Sequence, residues 1–148
     1  MKSKKIIENQ LAIYKARIRE YGDSPKSTYN QFLEIQNLRF ERLLFHIDLN
    51  VEKESIHDVG CGICDMYNYL KKHDSKLEYS GTDIVPEMRE MVKNKYPEIK
   101  FFLRDIIEDE IVESYDYVVL SGTFNLPGIV NHNLWRKFTR DMIFSMYK

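Results

Sequence analysis

Ser55-Ile-His-Asp-Val-Gly-Cys-Gly-Ile-Cys-Asp65 passes from a short strand pattern through a glycine turn into a helical pattern that continues to about Lys72. Glycines at 60 and 62 allow the chain to reverse tightly and leave no Cβ between the turn and anything lying on it. Working outward, Leu77 to Asp83 reads as a second strand. Pro86 then stands where a first helical turn accepts proline, because its missing N–H would be unpaired there. Met88, Met91, Val92 and Tyr96 give that helix its apolar face, and Pro97 helps end it. Ile99 to Leu103 is a third strand, and Asp116-Tyr-Val-Val-Leu120 a fourth, apolar enough to be covered on both faces. A loop from Ser121-Gly122 through Pro127 and Gly128 leads to a last helix from about Asn133. Strands alternating with helices imply parallel pairing through crossovers, hence a doubly wound α/β sheet.

Upstream, Ile7, Leu11, Tyr14, Ile18 and Tyr21 recur in steps of four and three, one stripe of an amphipathic helix that Gly22-Asp-Ser-Pro25 breaks. A second helix is expected from about Thr28 to Ile47, with Leu33, Leu38, Leu43 and Leu44 as buried candidates. No linker or repeat divides the 148 residues, so the expectation is one domain, with a helical extension over 1–50 and an α/β core over 51–148. The hydrophobic fraction is 43% and the charged fraction 30%, with a net charge of −1, which argues against disorder and against a basic nucleic-acid face. Lys2, Lys4 and Lys5 read as a solvated helix start. No apolar run approaches the roughly 20 residues that span a bilayer, and Glu8-Asn-Gln10 interrupts any signal-peptide core. A cytoplasmic protein is expected.

A ligand of such a sheet binds beyond the carboxyl ends of the strands, where the strand order reverses. Those ends carry a consistent set. Asp58 closes the first strand before the glycine turn. Asp83 closes the second, about 20 residues after the turn, the spacing of an acid that accepts from ribose hydroxyls. Ile84 beside it can cover a flat base. Asp105-Ile106 follows the third strand, with a carboxylate placed to accept from an exocyclic amino group. Each signal alone has a plainer explanation, since a strand-end Asp is often a helix cap. Together and in this order they point to a nucleoside.

Four segments, Ile56-His-Asp-Val-Gly-Cys-Gly62, Tyr79-Ser-Gly-Thr-Asp83, Phe101-Phe-Leu-Arg-Asp105 and Tyr115-Asp-Tyr-Val-Val-Leu-Ser121, resemble in sequence and order the first four strand motifs of class I S-adenosylmethionine-dependent methyltransferases. Tyr21-Gly-Asp-Ser-Pro-Lys26, Gln36-Asn-Leu-Arg-Phe40 and Ser121-Gly-Thr-Phe-Asn125 resemble a microbial branch of that family. The resemblance implies a Rossmann-like core and S-adenosylmethionine as cofactor. It places Gly60, Cys61 and Gly62 under the methionine part and Asp58 near its ammonium. Asp83 would take the ribose, Ile84 the adenine face, and Asp105 with the Ile106 amide the adenine edge. Ser121 would line the methionine end, and Arg39 would meet the carboxylate unless it is simply exposed on its helix. The implied activity is methyl transfer to an acceptor, expected to be a small molecule. The loop after the fourth strand lacks the Asn-Pro-Pro-aromatic signature of enzymes that methylate nucleobases or glutamine. Tyr14, Tyr21 and His132 are conceivable bases, each also explained by packing or exposure, so no catalytic residue is assigned.

Three rival readings fit less of the sequence. A dinucleotide site wants a third glycine where Ile63-Cys64 stands, a position often glycine in methyltransferases too. Cys61-Gly-Ile-Cys64 has redox-pair spacing at a helix start, where a thiol pKa can fall. It lacks the Trp and the strand-preceding proline of thioredoxin-like sites, and it leaves Asp83 and Asp105 unexplained. Zinc finds neither a second cysteine pair nor spaced ligands among His46, His57, His73 and His132. The family sheet normally has seven strands and four are legible, so the expectation is a shortened fold. It would be an enzyme, or a non-catalytic cofactor- or partner-binding chain. The open edge of the fourth strand would then recruit a second copy or a partner chain.

Overall fold

The computed structural model describes every residue but 1, 31, 110, 126–130 and 148. Pro127 and Gly128 therefore lie outside the described residues. The chain opens with α1 (Lys2–Tyr21), a short 3-10 turn (Pro25–Thr28) and α2 (Leu33–Leu43). The core then runs β1 (Ser55–Val59), α3 (Asp65–Lys72), β2 (Glu78–Asp83), α4 (Pro86–Lys95), β3 (Lys100–Leu103), β4 (Tyr117–Val119) and α5 (His132–Ser145). All described strand pairs are parallel, in the order β3-β2-β1-β4. The chain steps outward from β1 to β3 and then returns to the other side of β1 for β4. The reversal of order thus falls between β1 and β4, where a doubly wound sheet forms its ligand crevice.

The second helix departs from expectation. It begins at Leu33, because Ser27 and Thr28 donate their hydroxyls back to the Ser24 and Pro25 carbonyls and hold a 3-10 turn instead. Tyr29, at φ 63, then takes the left-handed conformation that ends it. Leu33 and Leu38 are about half exposed. The stripe that packs is Gln36, Phe40, Leu43 and Leu44, so a polar residue opens the buried face and the leucines on either side misdirect the pattern. Phe40 and Leu44 join Ile56, Met66, Tyr69 and Leu70 in one core cluster. On β4, Val118 is 36% exposed rather than covered, because β4 is an edge of the described sheet. Lys4 and Lys5 are exposed, as expected of a solvated helix start.

α1 and α5 close over the strand ends. Ile6, Val59, Ile106, Trp135, Phe138 and Met142 form a second cluster joining the two helices to the loops after β1 and β3. Beyond it, Leu11, Tyr14 and Ile18 of α1 pack towards Ile63, Val85 and Met88. The α1 stripe read from sequence is therefore the face that covers the crevice.

His57 is a core residue. It is fully buried on β1, with Nδ1 2.7 Å from Ser80 Oγ and Nε2 2.8 Å from Thr82 Oγ1, and it stacks on Tyr115 at 4.3 Å. Burial, helped by the Arg104 charge, lowers its pKa from 6.5 to about 4. The unfolded chain binds this proton at a higher pH than the folded one, so the contribution of His57 to stability is lost as pH falls from 6.5 to 4. Over that window the loss amounts to about 3 kcal/mol. Asp58, Asp65, Asp83 and Asp105, all raised by burial, titrate in the opposite sense over part of the same range, so the expected result is a difference between the unaltered chain and His57→Gln. The urea midpoint of the unaltered chain relative to that variant should fall between pH 6.5 and 4, and a constant difference would contradict a neutral buried imidazole.

Candidate functional site

The turn after β1 is tied down by its neighbour strand. Gly60 N and Cys61 N both donate to the Thr82 carbonyl, at 2.8 and 3.1 Å, and Gly62 N donates to Asp83 Oδ2 at 2.9 Å. Gly60 and Gly62 have φ of 74° and 57°, which side-chain-bearing residues rarely adopt. The space that the glycines leave is taken by the protein itself. A Cβ on Gly60 would stand 2.4 Å from Thr123 Oγ1, and one on Gly62 would stand 2.9 Å from Thr28 Cγ2. Thr123 is fixed there by a 2.9 Å bond to the Val59 carbonyl. These glycines thus serve close packing of two threonines as well as an open turn. Cys64 shares the left-handed conformation, at φ 60, where glycine would be unstrained. α3 nevertheless starts directly after it, and its side chain is fully buried against Cys61 and Val92.

A cavity of about 280 Å³ opens over this turn. Arg39, Asp58, Gly60, Cys61, Gly62, Asp83, Ile84, Asp105, Ile106 and Ser121 all line it. Asp58 is 3% exposed; its Oδ2 accepts from the Tyr79 hydroxyl at 2.9 Å, and its Oδ1 has no protein partner. Burial pushes its carboxyl up to about 7, against the pull of the Tyr79 bond. Asp83 Oδ1 accepts from Val85 N at 3.0 Å, so this carboxylate holds both the glycine turn and the start of α4. Burial raises its pKa, and the donated N–H bonds of Gly62 and Val85 oppose the rise. Asp105 Oδ1 accepts from Ile107 N at 3.0 Å. Ser121 Oγ is buried without a protein partner.

Arg39 is not free on its helix. It is partly buried, its Nη2 donates to Asn30 Oδ1 at 2.6 Å, and its Nε has no protein partner. The acids Asp58, Asp65, Asp83 and Asp105 and the guanidiniums of Arg39 and Arg104 share the cavity, so groups for both an ammonium and a carboxylate line it.

The sequence reading missed several lining residues, among them Thr28, Asn30, Gln36, Asp65, Thr123 and Trp135. Thr28 and Asn30 sit in a stretch read as helix, and the Pro25-Lys-Ser-Thr28 run was the signal that it turns instead. Tyr14 also lines the cavity, but burial and then the Asp83 charge push its phenol up to about 12. A phenol so placed stays protonated near neutrality and makes a poor base. Tyr21 does not line the cavity, and His132 is exposed at the start of α5.

The dithiol reading fails on burial. Cys61 and Cys64 are both buried and not bonded to each other, and burial, followed by Cys64 itself and the charges of Asp83 and Asp58, drives the Cys61 thiol well above its ordinary range. A redox thiol needs the reverse. With iodoacetamide at pH 8 the native chain should remain unmodified at both cysteines, while the urea-unfolded chain takes two labels, counted by mass spectrometry. Rapid native labelling would restore the redox reading. Among the described residues no three His, Cys, Asp or Glu side chains are grouped to hold a metal. No helix among them is long and apolar enough to cross a membrane.

Comparison with known proteins gives a consistent result. A family model described as a methyltransferase domain matches residues 56–143. The malonyl-acyl-carrier-protein O-methyltransferase of Acetivibrio thermocellus is 30% identical over 110 residues, covering 70% of this chain and 39% of that protein. Its counterpart from Anoxybacillus flavithermus is 32% identical over 104 residues, covering 66% of this chain and 38% of that protein. The chain thus spans about two fifths of the length of the curated relatives it matches. Among solved structures, a TehB-like S-adenosylmethionine-dependent methyltransferase from Corynebacterium glutamicum superposes with a TM-score of 0.56 at 22% identity. The match covers 84% of this chain and 67% of that one. CalS10, an amino pentose methyltransferase from Micromonospora echinaspora solved with S-adenosylmethionine bound, gives a TM-score of 0.51 at 16% identity. It covers 90% of this chain and 51% of that one, and both likenesses concern the fold.

Proposed function

Because the chain belongs to the class I S-adenosylmethionine-dependent methyltransferases, we propose that it holds S-adenosylmethionine in the cavity over the β1 turn and directs its methyl group to a small-molecule acceptor. One observation carries the reading. Asp58 Oδ1, Arg39 Nε and Ser121 Oγ are buried polar atoms without protein partners, and all three residues line the same cavity. Leaving such groups unpaired costs about 1–3 kcal/mol each. An α-amino acid supplies what they lack, with an ammonium for Asp58, a carboxylate for Arg39 and an oxygen for Ser121. The remaining assignments follow the same logic. Asp83 gives lone pairs to Gly62 and Val85 and has others left for ribose hydroxyls. Asp105 and Ile106 stand at the next strand end for an adenine edge, with Ile84 for its face.

The bound sulfonium supplies an activated methyl group. The work of this chain is to hold the cofactor, keep it from water under α1 and α5, and fix its orientation for in-line displacement. No described residue is assigned as a base.

Trp135, the one tryptophan of the chain, lines the cavity and reports on the ligand. Titration with S-adenosylhomocysteine should change its emission saturably. Asp58 is largely protonated in the empty site below about 7. The ionised form meets an ammonium better, so affinity should climb as pH rises from 5 to 7 and then level off. Affinity independent of pH over that range, together with unchanged affinity in Asp58→Asn, would remove Asp58 as the ammonium partner. No saturable change at any pH in a folded chain would remove the reading itself.

A second reading, a cofactor-binding unit that pairs with another copy or a partner chain, draws on the side of β4 that no described strand pairs. A single monomeric mass in light scattering at high concentration would exclude association between copies.

A further inference from the structure

We propose that the Pro25–Asn30 turn selects ligands that bear an amino-acid carboxylate, by holding Arg39 in place through Asn30 without neutralising its charge. The inference rests on the cofactor reading above and concerns a residue outside every motif that led to it.

A relay of hydrogen bonds runs through the turn. Thr28 Oγ1 donates to the Pro25 carbonyl at 3.0 Å and accepts from Asn30 Nδ2 at 3.0 Å. Asn30 Oδ1 then accepts from Arg39 Nη2 at 2.6 Å. Both ends of the Asn30 amide are engaged, so its oxygen is turned towards the guanidinium and cannot flip away without losing two bonds. The backbone enforces the same placement. Tyr29 at φ 63 swings the chain round, and Asn30 N closes the turn on the Pro25 carbonyl at 2.9 Å.

The chemistry of the holding group matters as much as its position. Asn30 is a neutral acceptor. Among the described residues Arg39 forms no ion pair, although Asp65 lines the same cavity. Gln36 Nε2 donates to Asp65 Oδ2 at 2.7 Å, and Asp65 meets the Arg39 charge only through space, without contact. Arg39 therefore touches no carboxylate and has a buried Nε–H to offer. On its other side Gly122 lets the loop after β4 pass close, since a Cβ there would stand 3.4 Å from Arg39 Nη1. A guanidinium confined between the turn and this loop is oriented before any ligand arrives, so little of the binding energy goes into ordering it.

The test compares S-adenosylhomocysteine with 5′-deoxy-5′-methylthioadenosine, which has the same nucleoside and thioether but no amino acid. Affinities are measured for the unaltered chain, Asn30→Ala and Asn30→Asp, and melting temperatures are followed alongside. The unaltered chain should prefer S-adenosylhomocysteine. Asn30→Ala should weaken S-adenosylhomocysteine about tenfold and leave methylthioadenosine unchanged. Asn30→Asp can still accept from Arg39 and hold it in place, yet it should weaken S-adenosylhomocysteine at least as much, because it cancels the charge. Equal loss of both ligands, or full retention of S-adenosylhomocysteine by either variant, overturns the proposal. Equal affinity of the unaltered chain for the two ligands overturns it while leaving the nucleoside site standing. Binding of neither ligand overturns the cofactor reading as well.

Discussion

Asp83→Ala should weaken binding of S-adenosylhomocysteine by about 2–4 kcal/mol, roughly 30- to 1000-fold, because bonds from ribose hydroxyls to a charged acceptor are lost. The structure adds a second consequence that a pure ribose contact would not have. Asp83 also accepts from Gly62 N and Val85 N, so alanine frees the glycine turn and the start of α4 together. The melting temperature of the ligand-free variant should therefore fall as well. Asp83→Asn separates the two effects. Its single amide oxygen can keep one of the two backbone bonds, so its stability should lie between those of the alanine variant and the unaltered chain. Its affinity should still drop steeply. Calorimetry for affinity and scanning fluorimetry for stability read the two quantities independently. Undiminished affinity in a folded Asp83→Ala chain would take the ribose away from this residue.

Among the described glycines, Gly60→Ala should be the most damaging added methyl. Its Cβ would overlap Thr123 Oγ1 at 2.4 Å and Cγ2 at 2.9 Å, at a backbone φ of 74°. The left-handed conformation costs an L-residue about 1–2 kcal/mol, and overpacking a tight site costs about 1–3 more. The two costs can be told apart. Thr123→Ala removes both overlapping atoms, so the double variant should recover the packing share and keep the conformational one. Its stability should exceed the sum expected from the single variants, which denaturant titration of the four chains would measure. Strict additivity would mean that Thr123 does not lie on this turn.

The sequence located the sheet well and the helical preface less well, for reasons that individual residues make plain. β1 reads directly because two closely spaced glycines, Gly60 and Gly62, follow it and take the positive φ that a strand cannot continue. The ends of β2 and β3 read directly because Asp83-Ile84 closes the one and Asp105-Ile106 follows the other by two residues. α2 was misplaced because Leu33 and Leu38 look like core residues by type, while the stripe that packs begins with Gln36. That choice answers Asp65, 29 positions away, and no local pattern contains it. Asn30 was missed for the same reason, since its partner Arg39 becomes a neighbour only once Tyr29 turns the chain back. Thr123 likewise gains its place over Gly60 from the return of the chain to β4. The strand ends that line the cavity are thus legible locally. The side chains that lean onto them from the preface and from the loop after β4 depend on tertiary approach.

Calorimetric titration of the chain with S-adenosylmethionine and with S-adenosylhomocysteine tests the cofactor assignment most directly. One-to-one saturable binding of both, strongly reduced in Asp83→Ala, is the predicted result. A chain that melts cooperatively yet gives no saturable heat with either ligand would contradict it.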